Sequence, residues 1–294
     1  MTRVVGIGGG HGLAATLRAA RLYADDIAAV VTVADDGGSS GRLTRDLGIP
    51  PPGDIRRCLC ALASEDDVAA LYEHRFGSGD LTGHPAGNLI IAALAEMTGD
   101  FGYAVRRAGS LLGAVGSVYP ATSSLVELHA RVEGGVVAGQ VAVAQTSAPI
   151  QAVYLDPVDP PAHPDAVAAI LAADQIVLGP GSLFTSLIAT VLVPGIREAL
   201  QQTEARRIFV CNTRRQKGET EHLDAAAHVH AVLDHAGTSA VDVVLIQDPE
   251  IPEEGMRLDR TSLPRHLEIV GARVASSDGT HEPALLADAL RRLV

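Results

Sequence analysis

The chain has 294 residues, of which 47% are hydrophobic and 20% are charged, so it can bury a substantial core and does not have the composition of a disordered protein. Its 23 basic and 35 acidic residues give a formal net charge of −12, which argues against a broad basic surface for duplex nucleic acid or anionic lipid. With five Tyr, four Phe and no Trp, the chain also lacks a rich base-stacking surface, and we expect no nucleic-acid partner.

The first predicted elements form a βαβ unit. A strand is predicted over residues 3–7, a helix follows with Leu13 and Leu17 at helical spacing, and a second strand is predicted over 27–33. β-Branched runs followed by helix-like segments recur at Gln175–Leu178, Arg207–Cys211 and Val241–Ile246. This alternation predicts an α/β, Rossmann-like fold, with a mostly parallel sheet and helices on both of its faces.

The middle of the chain has a different pattern. Residues 125–133 alternate apolar and polar side chains, a Gly-Gly pair follows at 134–135, and a second apolar segment covers 136–144. This pattern predicts an antiparallel β-hairpin with one solvent-facing side, inserted into the parallel sheet. No interdomain linker is recognisable, so we expect 1–294 to be a single domain with a β insertion at about 122–156.

The cysteines and the uncharged segments indicate a cellular compartment. Cys58, Cys60 and Cys211 lack the spacing of a secreted disulfide framework, and we expect the first two to be buried apolar side chains on one helix. The long uncharged stretches are interrupted by Gly, Pro and polar residues, so no membrane span is predicted. The N-terminus begins a strand directly, without a basic and apolar leader. We therefore expect a cytoplasmic protein.

A glycine-rich loop joins the first predicted strand to the first helix. The candidate ligand-binding residues in it are Gly8, Gly9, Gly10, His11 and Gly12. Glycines let backbone amides approach a phosphate, and the helix N-terminus favours an anion. The loop fails the dinucleotide fingerprint, which would need glycine at His11 or at Leu13, so we expect neither NAD nor flavin. The alternative is a tight turn that binds nothing.

Paired carboxylates follow the second strand. Asp35 and Asp36 could hold Mg²⁺, accept a proton or bind ribose hydroxyls, while Ser39, Ser40 and Arg42 could contact a phosphate. Alternatively, Asp36 makes an Asx turn and one of the serines caps the next helix.

The next motifs precede two further helices. Asp54 either caps a helix N-terminus or points a carboxylate into the site, with Arg56 nearby as a candidate counter-charge. His84 and Asn88 either contact a ligand from the start of a helix or serve only as capping groups.

A second anion-binding loop follows the strand at Gln175–Leu178. Its candidate ligand-binding residues are Gly179, Gly181, Ser182, Thr185 and Ser186. Because parallel strands end at one edge of a sheet, we expect this loop and the first glycine loop to contact one ligand with two ends, such as a nucleotide joined to a sugar. The segment 212–220 either supplies cations to a diphosphate or carries solvent-exposed arginines.

Together these motifs resemble the YvcK-type gluconeogenesis factors of the CofD-like superfamily. The resemblance runs in the family's order from residue 4 to about 255 and is carried by the segments 8–12, 31–43, 52–56, 87–89, 179–186 and 218–220. It implies a cytoplasmic Rossmann-like protein that binds a UDP-sugar and supports cell shape and envelope growth on gluconeogenic carbon sources.

The resemblance also implies a possible metal. Superfamily relatives are Mg²⁺-dependent 2-phospho-lactate transferases with a guanylyl-activated donor, and the carboxylates of Asp36 and Asp54 are then expected to hold Mg²⁺. The sequence departs from the family at His11, where Thr is usual, and at residues 213–217.

Two functional hypotheses follow. The first is a nucleotide-sugar-binding protein that signals through a regulatory protein partner and forms a homo-oligomer. The alternative is a CofD-like, Mg²⁺-dependent transferase that moves a phospholactyl-type group from a nucleotide-activated donor. Neither a nucleophile nor a general base stands out in the sequence, which favours binding over catalysis.

Overall fold

A computed structural model describes residues 1–251, 255, 256 and 258–294. Its main sheet has seven parallel strands in the order β10-β9-β8-β7-β1-β2-β3. The strands are β1 Arg3–Gly8, β2 Asp26–Val31, β3 Ser117–Pro120, β7 Gln175–Leu178, β8 Arg206–Val210, β9 Val243–Gln247 and β10 Glu268–Ala272. The predicted parallel sheet is therefore confirmed.

Helices cover both faces of this sheet. They are α1 Gly10–Ala20, α2 Gly38–Leu47, α3 Gly53–Ala61, α4 Asp66–Glu73, α5 Ala86–Thr98, α6 Phe101–Leu112, α7 Gln140–Gln145, α8 Pro164–Ala172, α9 Ala189–Val191, α10 Pro194–Gln202, α11 Ala225–Ala236 and α12 Pro283–Arg291. The buried residues form two apolar clusters, with Val4 in one and Val5 and Ile7 in the other. Successive side chains of a strand point to opposite faces, so β1 is buried on both sides.

The order of the strands reverses at β1, and this reversal creates a crevice at the edge of the sheet. From β1 the chain continues through β2 to β3 on one side, and it later returns as β7 on the other side of β1. The loops after β1 and β7 therefore leave neighbouring strands at the same edge and lead to opposite sides. Such a switch point, at the carboxyl ends of the strands, is where open α/β folds bind their ligands.

A separate antiparallel sheet has the order β5-β4-β6. Its strands are β4 Glu127–Val132, β5 Gly135–Ala138 and β6 Ile150–Asp156. The predicted hairpin is confirmed as β4 and β5, but the predicted continuation of the second strand to residue 144 is wrong. Gly139 takes a φ of +93°, the strand ends there, and the chain turns into α7.

The buried environment predicted for Cys58 and Cys60 is confirmed. Cys58, Cys60 and Cys211 are all buried free thiols. Over the described ranges, no single helix is long and apolar enough to cross a membrane, while one bent pair, Leu183–Val191 with Pro194–Gln202, passes by length and composition alone.

Candidate functional site

The two glycine loops pack directly against each other at the switch point. A β-carbon at Gly12 would overlap the backbone carbonyl of Pro180, so only glycine allows this approach. The hydroxyl of Thr16 donates to the carbonyl of Gly179 at 3.0 Å, and the hydroxyl of Thr190 donates to the carbonyl of Gly8 at 3.3 Å. The backbone carbonyls of Gly8 and Gly179 thus help to hold the two loops together.

Each loop ends at the start of a helix. α1 begins at Gly10, where φ is +64°, and no side chain caps it because its N-cap residue is Gly9. The second loop leads into a π-helix, Leu183–Ile188, which continues as α9. Helix starts present backbone N–H groups that have no partner inside the helix. In the second loop, the N–H groups of Gly181 and Thr185 bind the side chains of Asn212 and Glu219.

Two adjoining cavities lie along these loops. Cavity A, of about 480 Å³, is lined by Gly9, Gly10, His11, Gly12, Gly181, Ser182 and Ser186, together with residues 212–216 and 278–281. Cavity B, of about 320 Å³, is lined by Gly10, Asp35, Ser39, Ser40, Asp54, Arg56, Asn88, Ser182, Thr185 and Ser186, among others. Gly10, Ser182 and Ser186 line both cavities and form their junction.

Asp54 lies in cavity B as the second residue of its helix. α3 begins at Gly53 with a proline as its N-cap, so the interpretation of Asp54 as the N-cap is wrong. Its Oδ1 accepts a hydrogen bond from Nη1 of Arg57 at 2.7 Å. Burial raises the pKa of Asp54, the charge of Asp35 acts in the same direction, and Arg57 and the amide of Gly10 oppose them.

Asp36 faces away from both cavities. Its Oδ1 accepts the backbone N–H of Val141 in α7 at 2.9 Å, and it lines a separate cavity of about 270 Å³. The Asx turn predicted for Asp36 is instead made by Asp35, whose Oδ1 accepts the amide of Gly37 at 3.0 Å. Adjacent side chains in an extended segment point in opposite directions, so the structure groups Asp54 with Asp35 and not with Asp36.

A buried hydrogen-bonded chain supports cavity B. Nε of Arg56, which is 1% exposed, donates to Oδ1 of Asn88 at 3.0 Å, and Nδ2 of Asn88 donates to Oγ of Ser39 at 3.0 Å. The chain continues from Ser39 to Nδ1 of His84 at 2.8 Å. The interpretations of a serine, of His84 and of Asn88 as helix caps are wrong, because no side chain caps α2 or α5. Arg42 lies outside both cavities and donates to a loop carbonyl at 2.8 Å.

The sequence analysis did not predict all the residues that form the far wall of cavity A. The amide side chain of Asn212 pairs with the backbone of Gly181 through two hydrogen bonds, of 3.1 and 3.0 Å. The hydroxyl of Thr213 donates to the carbonyl of Gly279 at 2.5 Å and joins this loop to the turn at 278–281. That turn contributes His281, and its only sequence signal is an Asp-Gly pair, which predicts a turn and no ligand.

Comparisons with known proteins show the family to which the chain belongs. The family model described as 2-phospho-L-lactate transferase CofD matches residues 4–278. The chain belongs to the CofD family. It is 46% identical over 250 residues to the gluconeogenesis factor of Bacillus subtilis, covering 84% of this chain and 79% of that protein. It is 42% identical over 253 residues to the gluconeogenesis factor of Halalkalibacterium halodurans, covering 85% and 79%.

Solved structures confirm the fold of this CofD-family chain. A crystal structure of a Bacillus halodurans protein has a TM-score of 0.94 and 37% identity, covering 98% of this chain and 99% of that one. A second crystal structure, of a UPF0052 family protein from the same organism, has a TM-score of 0.94 and 36% identity, covering 98% of each chain. The family resemblance inferred from the motifs is thereby confirmed.

A buried glutamate lies directly behind the second glycine loop of this CofD-family protein. Glu219 is 5% exposed, and its Oε2 accepts the backbone N–H of Thr185 at 3.2 Å. Burial raises the pKa of Glu219 to about 7, although its hydrogen bonds to Thr185 and Leu183 lower it. A change in the protonation of Glu219 therefore alters a hydrogen bond to the loop that forms the junction of cavities A and B.

We expect Glu219→Gln to flatten the dependence of stability on pH. The folded pKa is raised, so the stability associated with protonated Glu219 is present at low pH and is lost as the pH rises through about 7. Between pH 5.5 and 8.5 the wild type should lose about 2 kcal/mol of unfolding free energy that the variant keeps. Urea unfolding at both pH values measures this. The control Glu204→Gln changes an exposed glutamate and should lose as much stability as the wild type. A Glu219→Gln variant that lost as much unfolding free energy as the wild type between these pH values would contradict the expectation.

Proposed function

We propose that this CofD-family protein is a cytoplasmic gluconeogenesis factor that binds a UDP-sugar across cavities A and B and thereby supports cell morphogenesis and envelope growth. The observation that carries the proposal is the packing of two glycine-rich loops, one at 8–12 and one at 179–186, into a single lining. Two such loops at a sheet switch point suit a diphosphate that carries a group at each end.

The diphosphate is assigned to the junction of the cavities. Gly10 offers a helix start there, and Ser182 and Ser186 lie on the opposite side. Arginines flank the junction, with Arg57 in cavity B and Arg215 in cavity A. Cations at these places favour an anionic ligand on a protein whose net charge is −12.

Mg²⁺ fits cavity B together with ligand phosphates. Asp35 and Asp54 both line it, and the charge of Asp35 disfavours ionisation of Asp54, so a cation between them would relieve their repulsion. Within the described part of the chain, no group of three or more His, Cys, Asp or Glu side chains could hold a metal alone. Mg²⁺ commonly binds through one or two carboxylates and phosphate oxygens. Bound in this way, the cation would neutralise charge on the phosphates of the ligand.

The biological part of the proposal is supported by the relatives. Two similar proteins carry the name gluconeogenesis factor and align over most of their own length. We propose that ligand occupancy is reported to a regulatory protein partner by a homo-oligomer. The family description names a transferase, and the carboxylates of cavity B would be available to that chemistry, so turnover is the alternative outcome of the binding experiment.

Binding of a UDP-sugar should raise the melting temperature. At a ligand concentration 100 times the dissociation constant, binding adds about 2.7 kcal/mol to stability, which corresponds to a shift of roughly 5 °C for a chain of this size. Thermal unfolding with UDP-N-acetylglucosamine, UDP-glucose, GDP and NAD, each with Mg²⁺, measures this. A larger shift with NAD than with every UDP-sugar would overturn the proposal. Consumption of the ligand during the titration would favour the transferase.

A further inference from the structure

Cavities A and B differ in the chemistry that they offer to the two ends of a ligand. Cavity B contains two carboxylates, those of Asp35 and Asp54, which suit the hydroxyl groups of a sugar and the charge of a bound cation. Among the described residues that line cavity A, the only carboxylate is that of Asp278. This carboxylate is engaged within its own turn, because Oδ1 accepts the Ser276 hydroxyl at 2.5 Å and the Thr280 amide at 3.0 Å. Cavity A is therefore the better environment for a flat, uncharged base.

Several polar side chains around cavity A already have partners. The side chain of Asn212 is paired with the backbone of Gly181, and Nε2 of Gln216 donates to Oγ of Ser182 at 3.0 Å. The hydroxyl of Thr213 is bound to the carbonyl of Gly279. These contacts build the wall and engage the three side chains, so that none of the three is free to bind the polar edge of a base.

His281 differs from these three side chains. Its Nε2 is buried and has no hydrogen-bond partner among the residues that the structure describes. Burial lowers the pKa of His281 to about 4, against the effect of a hydrogen bond to the backbone carbonyl of Cys211, so the ring is neutral at pH 7. Because Nε2 has no partner, the ring proton bound to Cys211 is assigned to Nδ1, and Nε2 is a bare acceptor.

We propose that cavity A holds the nucleobase of the ligand and that Nε2 of His281 accepts a hydrogen bond from a ring N–H on that base. This inference rests on the proposed function and names the specificity of the same site. Uracil and guanine carry a ring N–H on their pairing edge, whereas adenine and cytosine carry an unprotonated ring nitrogen there. An acceptor at this place selects the first pair, because the wrong base leaves two lone pairs facing each other.

The test compares UDP with 3-methyl-UDP, in which the uracil ring N–H is replaced by a methyl group. Calorimetry at pH 7.5 should show the wild type binding UDP at least tenfold more tightly. His281→Leu should weaken UDP binding roughly tenfold and bring the two affinities within about twofold of each other. His281→Gln, which keeps a side-chain acceptor, should retain part of the discrimination.

The matched control is His228→Leu. Nε2 of His228 is also buried without a partner among the described residues, but this histidine lies on α11 and lines neither cavity, so its variant should discriminate as the wild type does. If the wild type binds UDP and 3-methyl-UDP equally, or if His281→Leu still discriminates between them, the inference is overturned while the proposed function stands. The wild-type comparison holds even if a variant fails to fold. Absence of UDP binding at millimolar concentration would overturn both.

Discussion

Gly12→Ala should abolish nucleotide binding and lower the stability of the folded protein. The new β-carbon would overlap the carbonyl of Pro180, and this neighbour is backbone, so the two glycine loops must separate. Overpacking of this kind typically costs about 1–3 kcal/mol, and we expect the upper end because no flexible side chain can yield. Urea unfolding measures the stability, and calorimetry with a UDP-sugar measures the binding.

The control for this substitution is Gly135→Ala. A β-carbon there would meet nothing within 4 Å, and the residue does not have a positive φ. Its unfolding free energy and affinity should equal those of the wild type. Wild-type binding by Gly12→Ala would show that the close contact of the loops does not matter for the ligand.

Neighbouring glycines are less suitable probes of the ligand. A β-carbon at Gly9 would overlap Oδ2 of Asp54, and Gly181 has a φ of +138° that other residues rarely adopt. Substitutions at either position would disturb the protein itself, so a loss of affinity there would not show that the ligand approaches the backbone.

Asp54→Asn should weaken Mg²⁺-dependent binding of a UDP-sugar by roughly 10–100-fold, whereas Asp36→Asn should change it less than about twofold. The two substitutions are chemically identical, but only Asp54 lines cavity B. The neutral amide removes a charged oxygen from the candidate metal site and weakens the ion pair with Arg57. In the Asp36→Asn variant, the new side-chain amide oxygen can still accept the N–H of Val141.

Calorimetry with Mg²⁺ and with a chelator in its place separates the two effects of Asp54. Removal of Mg²⁺ should weaken binding by the wild type and by Asp36→Asn, and it should have little further effect on Asp54→Asn. Equal losses in the two variants, or wild-type affinity that is independent of Mg²⁺, would show that no metal takes part in binding.

The strands of the fold were predictable where β-branched residues form continuous runs. β7 was predicted with its observed bounds, and β1, β2, β8 and β9 within a few residues. Two edge strands of the main sheet were missed because their signals are weak. β3 has four residues and ends in proline, and β10 contains a glycine and a glutamate. α7 was predicted as a strand because periodicity cannot distinguish a short apolar helix from a strand.

The candidate site was predictable only at the level of its loops. Glycine and hydroxyl residues after β1 and β7 predicted that both loops reach one edge, and the structure places them in contact. Which of two adjacent carboxylates enters the cavity depends on the turn that Asp35 makes with Gly37, and no spacing rule fixes it. His281 joins the wall through a bond between loops 66 residues apart, which no local pattern indicates.

A crystal structure of the protein with a UDP-sugar and Mg²⁺ tests most directly whether both glycine loops bind one ligand. We predict a diphosphate at the junction, in contact with the amides of Gly10–Gly12 and with Ser182 or Ser186, the uracil in cavity A beside His281 and the sugar in cavity B. A nucleotide that contacts only one loop, or that lies outside both cavities, would contradict this prediction.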